Sequence, residues 1–111
     1  MASERDRTGV AAALREAVTR LVACLNPERI IIFGSQARSD AGPESDIDLL
    51  VVLRDEQSVG LAEDKAYRVL ADLEVPVDVV AVNARFLETY GDLVGTVTRT
   101  ALREGKVLYA R

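Results

Sequence analysis

Hydrophobic residues follow a helical period in the first quarter of the chain and form short continuous runs after it. Apolar positions at spacings of three and four predict an amphipathic helix over residues 7–25: Val10, Leu14, Val18, Leu21 and Leu25. The pair Asn26-Pro27 ends this helix, because the residue before a proline is driven away from helical backbone angles. A second amphipathic pattern predicts a helix over residues 61–74.

Three β-branched runs have the length and composition of buried strands. They are RIIIF (29–33), DIDLLVVL (46–53) and VPVDVVAV (75–82). Between the first two, residues 35–40 fit a short helix with Ser35 at its N-cap, and residues 41–45 fit a loop. A polar loop is predicted over residues 54–60.

The last third of the chain is predicted to be a helical stretch broken near Gly91, followed by a short strand or extended tail over KVLYA. Helices and strands therefore alternate along the whole sequence. This order predicts an α/β domain of two or three layers around a small central sheet, formed by residues 1–111 as one domain.

The residue types that are missing restrict the chemistry. The sequence has no histidine and a single cysteine, Cys24. This excludes a Ser-His-Asp triad, histidine-bound metals, an internal disulfide and a zinc–cysteine cluster. Any catalysis must use carboxylates, hydroxyls, Lys or Arg, and the metal that suits such oxygen ligands is Mg²⁺.

Net charge and hydropathy restrict the partners. The formal net charge is −4, so the chain lacks the basic surplus with which proteins displace counterions from nucleic acid. No apolar run approaches the ~20 residues that cross a bilayer, and no signal-peptide core follows the charged start. We therefore expect a cytoplasmic protein that binds neither membrane nor nucleic acid directly.

Asp46 and Asp48 stand at the start of an apolar strand. Side chains alternate along a strand, so both carboxylates point to one face, with Cα atoms roughly 6.6 Å apart. Two negative charges at that distance repel by roughly 2–3 kcal/mol at an effective dielectric of about 20. A divalent cation bridging the two carboxylates removes this cost, which makes them candidate Mg²⁺ ligands.

Asp78 is a single carboxylate near the start of the third apolar strand. If the second and third strands are parallel neighbours, as a helical crossover suggests, Asp46, Asp48 and Asp78 gather at one sheet edge. If the first strand is antiparallel to the second, Gly34-Ser35 reaches the same edge. Free amides at a helix start bind phosphate, and glycine allows its close approach.

Each feature also has a purely structural explanation. The two aspartates before the second strand fit solvated residues at a sheet edge, and Asp78 fits an edge-strand charge that discourages aggregation. A glycine after a strand is usually a turn, and Gly34-Ser35 lacks the rest of a P-loop. The order in which the features occur along the chain favours a shared site.

These residues resemble the minimal nucleotidyltransferases of the DNA polymerase beta-like superfamily. Gly34-Ser35, ten residues and then Asp46-Ile47-Asp48 match the family's pattern, and Asp78 matches its third carboxylate. The resemblance implies a small α/β nucleotidyltransferase fold, similar to the polymerase beta palm, with a mixed three- to four-stranded sheet flanked by helices.

The resemblance also implies roles for these residues. Asp46, Asp48 and Asp78 would hold Mg²⁺, and Asp78 would also deprotonate the attacking hydroxyl. Gly34 and Ser35 would bind the β- and γ-phosphates of ATP, with a further contact from Arg38. The reaction would transfer a nucleoside monophosphate to a hydroxyl and release pyrophosphate.

This short chain resembles the very short members of the family, which are typically antitoxins paired with HEPN-domain ribonuclease toxins. The resemblance implies transfer of AMP to a tyrosine of that partner. Two alternatives stay open. The protein could neutralise its partner by steric binding without catalysis, or it could modify a small-molecule acceptor on its own. Homo- and hetero-oligomers are both compatible with the sequence.

Overall fold

The computed structural model describes the backbone of residues 2–34, 47–91 and 97–111 and the side chains of residues 10–34, 47–91 and 99–111. The described elements occur in the following order: α1 (Ala2–Leu25), β1 (Arg29–Phe33), β2 (Ile47–Leu53), α2 (Val59–Leu70), β3 (Val77–Asn83), α3 (Ala84–Tyr90), α4 (Val97–Glu104) and β4 (Lys106–Ala110). Among these helices, none has the length and apolar character needed to cross a membrane.

The strands form one mixed sheet in the order β3-β2-β1-β4. The inner strand β1 is antiparallel to both β2 and β4, whereas β2 and β3 run parallel. The helix α2 makes the crossover between the two parallel strands. This confirms the predicted α/β class, and it meets both conditions for a shared site: parallel second and third strands, and an antiparallel first strand.

The strand β2 forms the centre of the core, because six of its seven residues are buried. Its odd-numbered side chains, such as Leu49 and Val51, pack with Leu21 of α1 and Ala66 of α2. Its even-numbered side chains pack on the opposite face, under α3 and α4: Leu50 and Val52 meet Leu87 and Ala101 there. The described helices thus cover both faces of the sheet, which gives three layers.

Several predicted boundaries differ from the observed ones. The helix α1 begins at Ala2 rather than at residue 7, because its first residues are polar and carry no apolar period to reveal them. The helix α2 spans Val59–Leu70 rather than residues 61–74, and the Ser58 hydroxyl caps its start by accepting a hydrogen bond from the Leu61 amide.

The third strand begins at Val77 instead of Val75. Pro76 has no amide hydrogen, so it cannot donate to a sheet, but its carbonyl accepts a hydrogen bond of 3.0 Å from the Ile47 amide. The predicted helix over residues 35–40 and the loop over residues 41–45 lie outside the described residues. The C-terminal stretch is two helices, and KVLYA is the edge strand β4.

Candidate active site

One end of the sheet brings Gly34, Asp48 and Asp78 together. The last residue of β1, Phe33, is the register partner of Asp48 in β2, and Asp48 is the register partner of Asp78 in β3. Neighbouring strands lie about 4.8 Å apart, so the two aspartates stand side by side at that separation. Gly34 follows Phe33 directly, so it lies at the same end of the sheet, on the β1 side of Asp48.

Both described aspartates lie on the same face of the sheet. Asp48 is two residues before Leu50, and Asp78 is two residues before Val80. Leu50 and Val80 belong to the hydrophobic cluster under α3 and α4, and strand alternation assigns the aspartates to that face as well. Asp48 is half-buried and Asp78 is exposed, so the pair lies where the apolar core gives way to solvent.

Gly34 is packed against the Asp48 carboxylate. Its φ angle of +77° lies in the left-handed region, which glycine adopts without steric cost. A Cβ atom added to Gly34 would lie 2.6 Å from Oδ2 of Asp48, closer than non-bonded contact allows. The missing side chain therefore leaves the space that the Asp48 carboxylate occupies.

The other predicted site residues, Ser35, Arg38 and Asp46, lie outside the described residues. The structure therefore locates Gly34, Asp48 and Asp78 and leaves the positions of the other three as predictions. Within the described part of the chain, no group of three or more acidic, cysteine or histidine residues has the arrangement of a metal site.

The residues that are described suit a magnesium ion and a phosphate group. Two carboxylates on adjacent strands offer hard oxygen ligands, and Mg²⁺ commonly uses one or two carboxylates together with substrate phosphates. No described basic side chain forms an ion pair with Asp78. Gly34 ends the first strand directly before Ser35, and glycine is the residue that lets a phosphate come close to the backbone.

A cavity beside Asp78 is a feature that sequence analysis missed. It has a volume of about 360 Å³ and lies along the outer edge of β3, between the end of α2 and the first strand residues. Its lining includes Tyr67, Leu73, Val75, Pro76 and Asp78. We call it the edge cavity. Its walls come from a turn whose path is not encoded in hydrophobic periodicity, so no sequence pattern could have located it.

The fold and this sheet edge together define a class of protein. A mixed sheet with helices on both faces ends in paired carboxylates beside a glycine bend, as expected of an α/β domain that transfers phosphate-containing groups. The model of the nucleotidyltransferase domain family matches residues 12–108. The chain therefore belongs to the nucleotidyltransferase domain family and is a transferase domain whose substrate is a nucleotide.

Solved structures with a similar fold agree with this family. A nucleotidyltransferase from Sulfolobus solfataricus is 19% identical, with a TM-score of 0.68, and the match covers 100% of this chain and 89% of that one. A toxin–antitoxin structure with AMP-PNP is 23% identical, with a TM-score of 0.60, covering 86% of this chain and 72% of that one.

A mutant of the MntA-HpeT toxin–antitoxin is also 23% identical, with a TM-score of 0.57, and the match covers 85% of this chain and 71% of that one. At these identities, the likeness to all three structures concerns the fold. No curated protein is similar enough in sequence to count as a relative.

Proposed function

We propose that the protein is a Mg²⁺-dependent adenylyltransferase that moves AMP from ATP to a tyrosine hydroxyl of a HEPN-domain toxin, and that it acts in this way as an antitoxin in the cytoplasm. The observation that carries the proposal is the register pairing of Asp48 with Asp78 on one face of the sheet, beside Gly34. Family membership supports the transferase chemistry. The folds shared with toxin–antitoxin structures, one of them with AMP-PNP, motivate the choice of nucleotide and partner.

Asp48, Asp78 and Asp46 are the proposed Mg²⁺ ligands. Asp46 comes directly before β2 in the sequence and, as an aspartate two residues before Asp48, is expected to share its face. Bound Mg²⁺ would neutralise the charge that develops on the attacking and leaving oxygens. The exposure of Asp78 and the half-burial of Asp48 leave both carboxylates accessible from solvent.

Gly34, Ser35 and Arg38 are proposed to hold the phosphates of ATP. Glycine allows a phosphate to approach the backbone, and Ser35 and Arg38, one and four residues after Gly34, would donate hydrogen bonds from a hydroxyl and a guanidinium. These contacts orient the β- and γ-phosphates so that the α-phosphorus lies near the two aspartates.

In the proposed reaction, the acceptor hydroxyl gives its proton to the Asp78 carboxylate. The freed oxygen forms a bond to the α-phosphorus, and the bond between that phosphorus and the oxygen bridging to the β-phosphate breaks. Pyrophosphate leaves with the electron pair of that bond, on the side opposite to the attack. The products are an AMP ester of the acceptor and pyrophosphate.

Transfer of radioactive label from α-labelled ATP tests the proposal. The protein is incubated with Mg²⁺ and its partner toxin, and label is followed on protein and on small molecules. We expect label on the toxin, with transfer abolished in Asp48→Asn and the fold retained. Asp64→Asn is the matched control, because Asp64 is a surface aspartate of α2 that pairs with Arg68 and does not belong to the sheet edge.

The other outcomes of this experiment overturn the proposal. Toxin that is neutralised without label, and equally by Asp48→Asn, indicates a steric antitoxin without catalysis. Label that appears on a small metabolite indicates a standalone enzyme with a small-molecule acceptor. Loss of the fold in Asp48→Asn, measured by circular dichroism, would contradict the interpretation of Asp48 as a metal ligand rather than a structural residue.

A further inference from the structure

The backbone groups of β3 point alternately toward β2 and away from the sheet. The Pro76 carbonyl accepts a hydrogen bond from an amide of β2, whereas the Ala81 amide donates to Glu63, on the side away from β2. Because backbone groups alternate in direction along a strand, even-numbered residues face β2 and odd-numbered residues face outward. The outer edge of β3 therefore consists of the amides and carbonyls of Val77, Val79 and Ala81.

This outer edge has the properties of an edge that accepts another strand. Within the described part of the chain, Glu63 is the one group that hydrogen-bonds to it, and it uses only the Ala81 amide. The outward donors of Val77 and Val79 lie before that point. The register with β2 is continuous over the whole strand, and β3 contains neither proline nor lysine, the residues that commonly protect an edge.

The opposite edge of the described sheet, β4, is built differently. Two successive residues of β1 pair with Tyr109 and Val107, so Leu108 between them is the extra residue of a β-bulge. The strand also begins with Lys106. Bulges and lysines are devices that keep an edge from pairing with other chains. Of these two edges, β3 is therefore the one suited to receive a strand.

The edge cavity indicates which side chains an added strand would carry. Glu63 occupies the far end of the row, so an added strand has to pair with Val77 and Val79 and continue past the start of β3. The side chains of these two valines pack on the face of the sheet under α1 and α2, and directly paired residues share a face. The cavity has Val77, Leu73 and Val75 in its lining and suits an apolar side chain on that face.

Carboxylates surround this edge. Glu63 lies on α2, Glu74 lies between two residues that line the cavity, and Asp78 belongs to β3 itself. Among the described residues, no basic side chain forms an ion pair with Glu74 or Asp78. Opposite charges on neighbouring strands stabilise their pairing, so basic residues suit the positions between the apolar ones.

A second copy of this chain is a poor occupant of the edge. A two-fold antiparallel pairing of β3 with itself that avoids Ala81 sets Val77 opposite Val79 of the second copy. That register places Asp78 directly opposite Asp78 of the second copy, and like charges in this position are destabilising. Registers that pair Ala81 have to displace Glu63 from its amide in at least one copy.

We infer that the outer edge of β3 is a docking site for an extended segment of a different protein, in which apolar residues alternate with basic ones. The segment adds to the sheet as a further strand, with main-chain hydrogen bonds to Val77 and Val79 and an apolar side chain in the edge cavity. This surface goes beyond the proposed function and does not depend on the transfer reaction.

Hydrogen exchange of the full chain with the peptide acetyl-KVKLKVK-amide tests the inference, without Mg²⁺ so that Asp78 keeps its charge. At saturating peptide we expect the Val77 and Val79 amides to exchange about tenfold more slowly or less, whereas the Val80 amide, which faces β2, changes little. The matched control peptide is N-methylated at its three central residues. It has the same charge and side chains but cannot complete the ladder, so it should not protect these amides.

A cavity variant tests the apolar contact separately. Ala71 is exposed and lines the edge cavity, so Ala71→Trp should fill the space and weaken peptide binding about tenfold or more, the loss of one buried apolar side chain. Leu61→Trp is the matched control, because Leu61 is on the same helix and 66% exposed but does not line the cavity. Its affinity for the peptide should equal that of wild type.

Three results would overturn the inference: protection of β4 instead of β3, equal protection by the N-methylated peptide, or no protection at about 1 mM peptide. Protection of Val77 and Val79 that rises with protein concentration in the absence of peptide, together with a dimer in analytical ultracentrifugation, would overturn it in favour of a second copy. If the peptide protects these amides but no label is transferred from ATP, the proposed function fails and the docking edge stands.

Discussion

Gly34 is the residue whose backbone and missing side chain both matter to the candidate site. Replacement by alanine would place a Cβ 2.6 Å from Oδ2 of Asp48 and would force a non-glycine residue to a φ of +77°. The left-handed conformation alone costs about 1–2 kcal/mol. To relieve the contact, the Asp48 carboxylate has to move.

We predict that Gly34→Ala lowers the free energy of unfolding by about 1–3 kcal/mol and reduces the nucleotidyl transfer rate by on the order of a hundredfold, the effect of a misplaced catalytic group. Urea unfolding and a label-transfer assay measure the two effects. Gly60→Ala is the matched control. Gly60 lies in α2, and no atom lies within 4 Å of the position that its Cβ would take, so the change should leave transfer intact and stabilise the helix by up to about 1 kcal/mol.

Equal transfer rates for wild type and Gly34→Ala would show that the contact between Gly34 and Asp48 has no role in the reaction. The two aspartates themselves could be found from the sequence, because charged residues at alternate or isolated positions of an apolar strand are conspicuous. The contact with Gly34 could not, since it depends on the antiparallel register that pairs Phe33 with Asp48.

Single side chains also stabilise the secondary structure elements around the site. The strand β3 is an edge of the described sheet, and the Ala81 amide donates a hydrogen bond of 3.1 Å to Oε2 of Glu63 in α2. Open strand edges tend to pair with other chains. Glu63 therefore links the crossover helix to β3 and accepts the hydrogen bond of one amide on that edge.

We predict that Glu63→Ala lowers the free energy of unfolding by about 1 kcal/mol, because the hydrogen bond to the Ala81 amide is lost. Exchange of the Ala81 amide hydrogen, followed by NMR, should become faster. Glu63→Gln keeps a carbonyl oxygen at the same place and should retain most of the protection. Identical Ala81 exchange in all three proteins would contradict this role for Glu63.

A second contact joins α1 to the end of α2. Arg20 donates to the Val69 carbonyl at 2.8 Å and forms an ion pair with Asp72. The hydrogen bond from Arg20 holds the pKa of Asp72 below its ordinary value. A carboxyl whose pKa is lower in the folded state stabilises the fold above its unfolded pKa, and this contribution is lost as the pH falls through the folded pKa.

We therefore predict that Asp72→Asn lowers the melting temperature at neutral pH, and that its difference from wild type shrinks as the pH falls below about 4 and disappears in stronger acid. Thermal unfolding across this range measures the difference. Arg20→Ala should also lose the hydrogen bond to the Val69 carbonyl, which does not depend on the charge of Asp72. Part of its decrease in melting temperature should therefore persist in acid. A difference in melting temperature between wild type and Asp72→Asn that does not change with pH would contradict the ion-pair explanation.

At the scale of the whole molecule, the topology makes distant residues into neighbours. The parallel crossover sets Asp78 beside Asp48, and the antiparallel return of β1 brings Gly34 to the same edge. The parallel pairing could be predicted, because apolar runs identify the strands and a helical connection of this length favours a parallel crossover. The antiparallel direction of β1 is only an assumption at the level of the sequence, and the structure agrees with it. The strand starts were less predictable: Val77 begins β3 because Pro76 cannot donate to the ladder.

The edge cavity shows where such prediction stops. Tyr67 could be assigned to a helix, but the turn over residues 71–76 that folds back beside it has no periodic pattern. Hydrophobic periodicity describes which face of an element is buried and gives no information on the space left between a turn and a strand edge.

The central claim is that the carboxylates of Asp48 and Asp78 share a divalent ion next to a nucleotide held at Gly34. The most direct measurement is a crystal structure of the protein with Mn²⁺ and AMP-PNP, using the anomalous signal of manganese to locate the metal. We predict an anomalous peak between Asp48 and Asp78, with the terminal phosphates beside Gly34. A manganese peak at any other place, or a nucleotide bound away from this sheet edge, would contradict the claim.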